Sequence, residues 1–444
     1  MLKEDAGKGK GGFIGLLPLI IFLVLYVTVG IGSGSFDNIP LAIGISIACI
    51  VAFILPKKGD KETTFGDKVT IFCKGGGENT LILMVIIYLL AGAFYGVANS
   101  MHAVDSMVNF GLSILPGRMI LPGLFLIACL VSFSMGTSMG TVSALIPIGI
   151  ALSSKIGVNV ALVCGLIVGG AMFGDNLSFI SDTTIAATRM LEVEMKDKFK
   201  ANILMVLPAV IINVLVLAFV KIDAPAAGTV YAYNFVNIIP YILIILLSLM
   251  GMNVMQVMLV GILGGVVIGL FHGDFTLLES LKVVHTGMTW MEDMALIAVL
   301  VGGLVALMKY LGGIDWLLHA LTRKTKTRRG GELAIASLVS LLDIATTNNT
   351  ISIISAGPIA RDISDEMGID RRRAASILDL FSSAFNGLSP YAGQLLVAGA
   401  MAKISPVTII PYVWYCLMMI VFGLIFIGIG WPNKFTEKSL IGNK

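Results

Sequence analysis

The chain is a succession of long apolar runs separated by short polar stretches. Twelve runs can be marked, at about 13–30, 39–55, 80–98, 119–153, 158–190, 201–220, 235–250, 255–271, 295–311, 333–360, 374–402 and 408–430. Their lengths suit helices crossing about 30 Å of hydrocarbon and exceed the roughly ten residues of a barrel strand. The fourth and tenth runs are interrupted by polar residues, SFSMGTSMGTVS at 132–143 and LLDIATTNNTIS at 341–352. Each half of such a run is too short to cross as a helix rising about 1.5 Å per residue, but two halves make a re-entrant hairpin. The fifth run breaks at 174–182, GDNLSFISD, and the eleventh at 386–393, NGLSPYAG, where Gly387 and Pro390 oppose a continuous helix.

The same pattern occurs twice. A shift of 211 positions lays Pro147 on Pro358, Lys155-Ile-Gly-Val-Asn159 on Glu366-Met-Gly-Ile-Asp370, and Asn176-Leu-Ser178 on Gly387-Leu-Ser389; with a slip of three, Leu130-Val-Ser132 falls on Leu338-Val-Ser340. An internal duplication follows, with six apolar segments per half. Basic residues collect on the cytoplasmic side of a membrane. If all twelve runs cross, Lys and Arg split 18 inside to 12 outside; if the two interrupted runs return to the face they entered, the split of the 30 becomes 25 to 5, with Arg118, Lys155, Lys221, Lys282 and Lys403 outside. The hairpin arrangement is therefore expected. Five crossings per half is an odd number, so the second copy would be inverted, the plan of secondary transporters.

The expected fold is an all-α polytopic membrane protein, an inverted repeat of five crossings plus one re-entrant hairpin per half, with interrupted helices at the midplane. Residues 1–118 would be scaffold spans of the first repeat and 119–190 its hairpin and broken helix. Residues 191–332 would be scaffold joining the repeats, 333–402 the second hairpin and broken helix, and 403–444 the last scaffold span and tail. Both termini are expected in the cytoplasm of a prokaryote, with the chain in its inner membrane. Lys3, Lys8 and Lys10 precede the first run, but that run is long for a signal segment and no A-x-A site follows, so it reads as a retained span.

Composition agrees: 57% of the 444 residues are hydrophobic and 13% charged, too apolar for one water-soluble core. The formal charge of +3 is spread by membrane side and implies no nucleic acid. Four of the five cysteines, Cys49, Cys129, Cys164 and Cys416, lie in apolar runs and Cys73 in a loop; His102, His272, His285 and His319 are scattered. No disulfide framework, zinc site or other cofactor is suggested.

The chemistry lies at the breaks. Backbone at membrane depth leaves the helix only where protein or a water-filled cavity satisfies it, so the four breaks are expected to converge. They bring hydroxyls of Ser134, Thr137, Ser138, Thr141, Ser178, Thr183, Thr346, Thr347, Thr350 and Ser389, and amides of Asn176, Asn348, Asn349 and Asn386. With freed carbonyls, these are hard oxygen ligands for a partly dehydrated alkali cation. Asp175, Asp182, Asp343 and Asp379 fall within 119–188, 333–360 and 374–402, where the one basic residue is Lys155. Intramembrane carboxylates are costly and mark ion pathways. One without a partner can hold a proton near neutral pH and trade it for a metal ion; Asp182 or Asp175 is the expected exchanger.

The predicted cation ligands are Asp175, Asn176, Ser178, Asp182, Thr183, Asp343, Thr347, Asn348, Asn349, Asn386 and Ser389. The predicted solute contacts are Ser134, Thr137, Ser138, Thr141, Thr346, Thr350 and Asp379. Plainer readings stand beside these. Asp182 could cap the half-helix that follows, hydroxyls in membrane helices often bond back to their own turn, and Asp379 could pair with nearby arginines. GGG at 75–77 is no phosphate loop, since no GK[ST] follows.

The segment GAMFGDNLSFISDTTIAA resembles the signature of NhaC-type sodium:proton antiporters of the ion transporter superfamily, roughly GDKxSPLSDTT, at Gly174, Asp175, Ser178, Ser181, Asp182, Thr183 and Thr184. Asn176 stands where that pattern has Lys, and Phe179 where it has Pro. The resemblance implies two hairpin tips and two unwound helices around the site, a homodimer, and elevator-like movement of 119–190 and 333–402 against the rest. The expected function is sodium:proton antiport. Relatives thought to carry amino acids or small carboxylates keep open a coupled carrier of an organic solute, for which TTNNT at 346–350 offers amides and a helix N-terminus. No nucleophile with a base, metal cluster or phosphate loop suggests an enzyme.

Overall fold

The computed structural model describes residues 12–33, 40–57, 63–114, 117–178, 181–222, 231–250, 252–316 and 327–431. Both chain ends, Phe179 and the basic stretch from Arg323 to Lys326 lie outside the described residues. All regular structure among the described residues is helical. In chain order the helices are α1 (Leu17–Gly32), α2 (Leu41–Ile54), α3 (Phe65–Gly76), α4 (Asn79–Ser100), α5 (Ala103–Ile114), α6 (Ile120–Met135), α7 (Ser138–Lys155), α8 (Val160–Leu177), α9 (Asp182–Leu191) and α10 (Met195–Ala218). There follow α11 (Phe235–Leu249), α12 (Val254–His272), α13 (Leu277–Thr289), α14 (Glu292–Tyr310), α15 (Arg328–Thr346), α16 (Asn349–Met367), α17 (Arg371–Asn386), α18 (Gly393–Ala402) and α19 (Trp414–Ile429).

Among the described residues six helical stretches are long and apolar enough to cross a membrane, and a seventh if Gly393–Ala402 and Pro406–Tyr412, bent by 99°, count as one span. The chain is a multi-pass membrane protein. Gly117–Met135 is itself among the six, so helix length alone does not separate a crossing from a re-entrant hairpin. The expectation of re-entry rests on the distribution of basic residues.

The interruptions fall where the polar residues stand. Helices α6 and α7 meet at Gly136 and Thr137, and α15 and α16 at Thr347 and Asn348. Helix α8 gives way to α9 after Leu177, and α17 to α18 after Asn386. Ser138, Val160 and Asp182, which open α7, α8 and α9, stand 211 positions before Asn349, Arg371 and Gly393, which open α16, α17 and α18. The two halves interlock reciprocally: α9 packs on α16 and α18 on α7, while α3 packs on α14 and α13 on α4.

Among the described residues three helices of ten or more residues lie outside the apolar runs. Helices α3, α5 and α13 are 12, 12 and 13 residues long, each too short to cross alone, and carry charges that include Lys68, Lys74, Asp105 and Lys282. A capping box nevertheless opens α3 at Thr64 and Asp67 and another opens α13 at Thr276 and Glu279. Small residues then let these helices approach their partners closely. A Cβ on Gly75 would sit 2.6 Å from the carbonyl oxygen of Gly302, and one on Gly287 2.2 Å from that of Gly92.

Candidate functional site

Each hairpin tip is made by one residue with left-handed backbone. Gly136 (φ 66) closes α6, its N–H donating to the Ser132 carbonyl at 2.9 Å. At the matching position Thr347 (φ 55) closes α15, donating to the Asp343 carbonyl at 2.7 Å. A β-branched residue there is strained by about 1–3 kcal/mol, and the surrounding packing holds it. Asn348 then caps α16, its side-chain oxygen accepting from the Ile351 N–H at 3.0 Å.

Both tips and both breaks border one cavity of about 140 Å³. Its wall contains the predicted residues Thr137, Ser138, Asp175, Asp182, Thr183, Thr347, Asn348, Asn349, Thr350 and Asn386. Ser181 and Gln394, which the sequence reading did not select, line it too, and Leu83, Met84 and Ile87 of α4 form an apolar side. The N-termini of α7, α9, α16 and α18 all reach this wall. The cavity thus holds carboxylate, hydroxyl and amide groups beside exposed ends of helix dipoles.

The four carboxylates have different settings. Asp175 accepts the Ser138 N–H on Oδ1 at 2.9 Å and the Ser138 hydroxyl on Oδ2 at 2.5 Å. That hydroxyl in turn accepts from Gln394 Nε2 at 2.7 Å, joining the second half of the chain to the first. Asp182 occupies the first turn of α9 after Ser181, and its exposed side chain lines the cavity. The capping position it could have filled is taken by Ser181.

Asp343 is fully buried behind the second tip. Its Oδ1 lies 3.4 Å from Ser352 Oγ and 3.5 Å from both Ser382 Oγ and Asn386 Nδ2, at the long limit of hydrogen bonding. Its Oδ2, the Asn349 side-chain oxygen and Ser389 Oγ have no partner among the described residues. Buried oxygens of this kind are donors that could hold a small cation.

Asp379 departs from the expected setting. It is buried in an ion pair with Lys198 and accepts from Thr184 Oγ1 at 3.2 Å, away from the cavity wall. The sequence reading took the transport segments to be free of buried base. Lys198, counted with the cytoplasmic loop, instead reaches in from α10 and is 1% exposed. A signal did exist, since Lys198 shares its helix with an apolar run, but sequence spacing does not show which way a helix turns its one cation.

Several other predicted contacts face elsewhere. Asn176 turns its amide to Asn202 and Met419 Sδ and its carbonyl to Lys198 and Asn202. The hydroxyls of Ser134 and Thr141 bond back to the carbonyls of Leu130 and Thr137, four residues earlier, at 2.9 and 3.1 Å, as hydroxyls in helices often do. Ser178 is buried, and Thr346 Oγ1 donates to the Asn348 carbonyl at 3.4 Å; neither borders the cavity.

The profile of the Na+/H+ antiporter family matches residues 14–222 and 210–431. The chain is 22% identical over 453 residues to the malate-2H(+)/Na(+)-lactate antiporter of Bacillus subtilis, covering 95% of each chain. It is 23% identical over 472 residues to the Na(+)/H(+) antiporter NhaC of Alkalihalophilus pseudofirmus, covering 97% of this chain and 99% of that one. With the Na(+)/H(+) antiporter NhaC of Bacillus subtilis it shares 26% identity over 399 residues, 81% of this chain and 85% of that protein.

Proposed function

Because the chain belongs to the Na+/H+ antiporter family, we propose that it exchanges sodium ions for protons by alternating access, with Asp175 the carboxylate for which the two compete. The observation that carries this reading is the place of Asp175. It lies at the end of a broken helix, opens on the cavity shared by both hairpin tips, and among the described residues has Ser138 and no cationic side chain as a hydrogen-bond partner. Sodium would be held there by the carboxylate and neighbouring hydroxyl and carbonyl oxygens, and a proton would displace it by neutralising the carboxylate. Asp182 adds negative charge at the mouth. The buried oxygens around Asp343, Asn349 and Ser389 are the second group suited to a stripped cation.

In the same reading the two halves are inverted copies whose hairpins open to opposite faces, in the inner membrane of a prokaryote with both termini cytoplasmic and two chains as a dimer. The segments 119–190 and 333–402 would move against the remaining spans. The packing of α10 and α19 on each other and on α8 and α17 supports adding those two helices to the moving unit. Accessibility of cysteines placed at 137 and 348, compared with and without sodium, tests the movement.

The exchange itself is tested in proteoliposomes. Asp175→Asn should insert normally and lose sodium-driven proton movement; persistence of that movement with its pH dependence would assign the exchange to another group. A second reading, a coupled carrier of a small organic acid, is favoured by one feature. Four helix N-termini and the amides of Asn349 and Gln394 face the cavity, a setting that suits a carboxylate. The Bacillus subtilis relative named for malate and lactate gives the solutes to try. Sodium flux that requires malate or lactate supports this second reading, and full exchange without either supports the first.

A further inference from the structure

Lys198 points into the protein, toward the back of the broken helix. Its ammonium donates to the main-chain carbonyl of Asn176 at 2.6 Å and to Thr184 Oγ1 at 3.0 Å, and it is paired with the Asp379 carboxylate. Asn176 and Asp379 are 0% exposed and Thr184 2%. The three oxygens come from the unwound end of α8, from α9 and from α17, so three elements meet at one buried positive charge. A carboxylate, a carbonyl and a hydroxyl converging on one point are the hard donors that an alkali cation takes from a protein. A lysine ammonium is likewise a compact, strongly hydrated point charge.

We propose that Lys198 is a tethered cation: its ammonium permanently fills a monovalent-cation cage made by the Asn176 carbonyl, the Thr184 hydroxyl and the Asp379 carboxylate, and shortening the side chain lets sodium from solution take its place. Asn176 directly follows Asp175, so the same ammonium holds from behind the turn that presents Asp175 to the cavity. Lys198 is in this sense a positioning residue. The cage is not repeated at the 211-residue offset. The positions 211 residues away from its members are Gly387, Leu395 and Val168, which offer no side-chain oxygen. Without the ammonium, the buried Asp379 carboxylate needs a new partner. At alkaline pH a proton is scarce and would engage one oxygen, whereas sodium would engage all three. The role given to Asp175 rests on the proposed exchange, but the cage does not.

The test is the melting temperature of the purified full chain at alkaline pH, with sodium chloride exchanged for choline chloride at constant ionic strength. Lys198→Met should show an upward shift with sodium larger than that of the parent, and Lys198→Met/Asp379→Asn should lose the excess. Sodium dependence of transport by Lys198→Met should become steeper than the parent's, which a purely structural lysine would not cause. A sodium shift equal to the parent's, or an excess that survives in the double variant, overturns the cage. If Lys198→Met is recovered only when solubilised in sodium, the cage is supported. If it is recovered in neither salt while the double variant folds, only charge removal matters and the cage is wrong. Because the readout is binding, a variant that takes up the extra sodium while the parent exchanges none would sink the antiport reading and leave the cage standing.

Discussion

Replacing Ser138 by Ala removes one of the two donors that reach Asp175. The hydroxyl is buried, lies 2.5 Å from Oδ2 and is itself held by Gln394 at 2.7 Å, while the Ser138 N–H continues to donate to Oδ1 at 2.9 Å. A hydrogen bond to a charged acceptor contributes about 1.5–3 kcal/mol, and about 1.4 kcal/mol is tenfold in an equilibrium constant. The loss falls on the ionised carboxylate, because that form accepts most strongly. Sodium needs the ionised form and the proton removes it, so sodium is disadvantaged twice: its own ligand set shrinks and its competitor gains. The expected result is a sodium half-saturation raised roughly 10- to 100-fold at neutral pH, recovering toward the parent value as the pH is raised. Gln394 also loses its acceptor, so thermal stability should fall by about 1–3 kcal/mol. Sodium-dependent proton movement in proteoliposomes across a pH series measures the first effect and thermal unfolding of the purified protein the second. A variant that melts earlier but keeps the parent's sodium dependence at every pH would refute the reasoning and leave Ser138 a structural residue.

Asp182→Asn keeps the shape of the first turn of α9 but removes a charge that is open to the cavity; sodium half-saturation should rise a few fold, about 1 kcal/mol or less given the exposure, with exchange retained. Complete loss of exchange in that variant would move the competing carboxylate from Asp175 to Asp182. Gly174→Ala places a methyl 2.0 Å from Ser132 Oγ, 2.2 Å from its carbonyl carbon and 2.4 Å from its carbonyl oxygen. Since backbone cannot swing aside, destabilisation of at least about 1–3 kcal/mol is expected, read as a lower melting temperature in detergent. Parent-like melting would mean that α6 and α8 can separate. Arg373→Met strips the buried Glu332 of its bidentate partner, bonds of 2.6 and 2.8 Å, at a cost of about 3–5 kcal/mol. Arg373→Met/Glu332→Gln should regain part of it, though not the bonds from Arg373 to the Phe426 and Trp431 carbonyls at the end of α19.

Much of the architecture was legible because its causes are local. Gly136, Gly387 and Pro390 interrupt apolar runs where polar residues cluster, and backbone freed at that depth has to meet protein or water. The 211-residue offset read at Pro147 and Pro358 recurs at the first residues of α7, α8 and α9. Helices α3, α5 and α13 were missed because helices of 12 or 13 residues do not stand out when apolar runs are sought at the length of a span, although the capping boxes at Thr64 and Thr276 were there to be read. The strained backbone at Thr347 could not be foreseen, since nothing in TTNNT separates a threonine with positive φ from its neighbour. The facing of side chains at a break was equally hidden. One residue of helix is a turn of about 100°, so Asp175 addresses the cavity while the side chain of Asn176, its neighbour, addresses Asn202 and Met419.

The position of Lys198 also decides how the carboxylates can share work. A count of charge along the transport segments gives four acids and no buried base, and four equivalent competitors for sodium would leave the exchange unspecified. Pairing removes Asp379 from that contest, because a carboxylate already neutralised by a buried ammonium has nothing to gain from a free cation. Exposure separates Asp182, where water screens the charge and weakens any claim on sodium. Asp343 and Asp175 remain. Asp343 is enclosed, with one oxygen unpartnered, while Asp175 is 6% exposed and opens on the cavity with both oxygens engaged by Ser138. A proton arriving through water reaches Asp175 directly and reaches Asp343 only past the second hairpin tip. On the proposed exchange, one carboxylate would trade its partner and one would hold a cation more slowly, a difference that sodium binding followed in Asp175→Asn and Asp343→Asn variants would resolve as a fast and a slow phase lost separately.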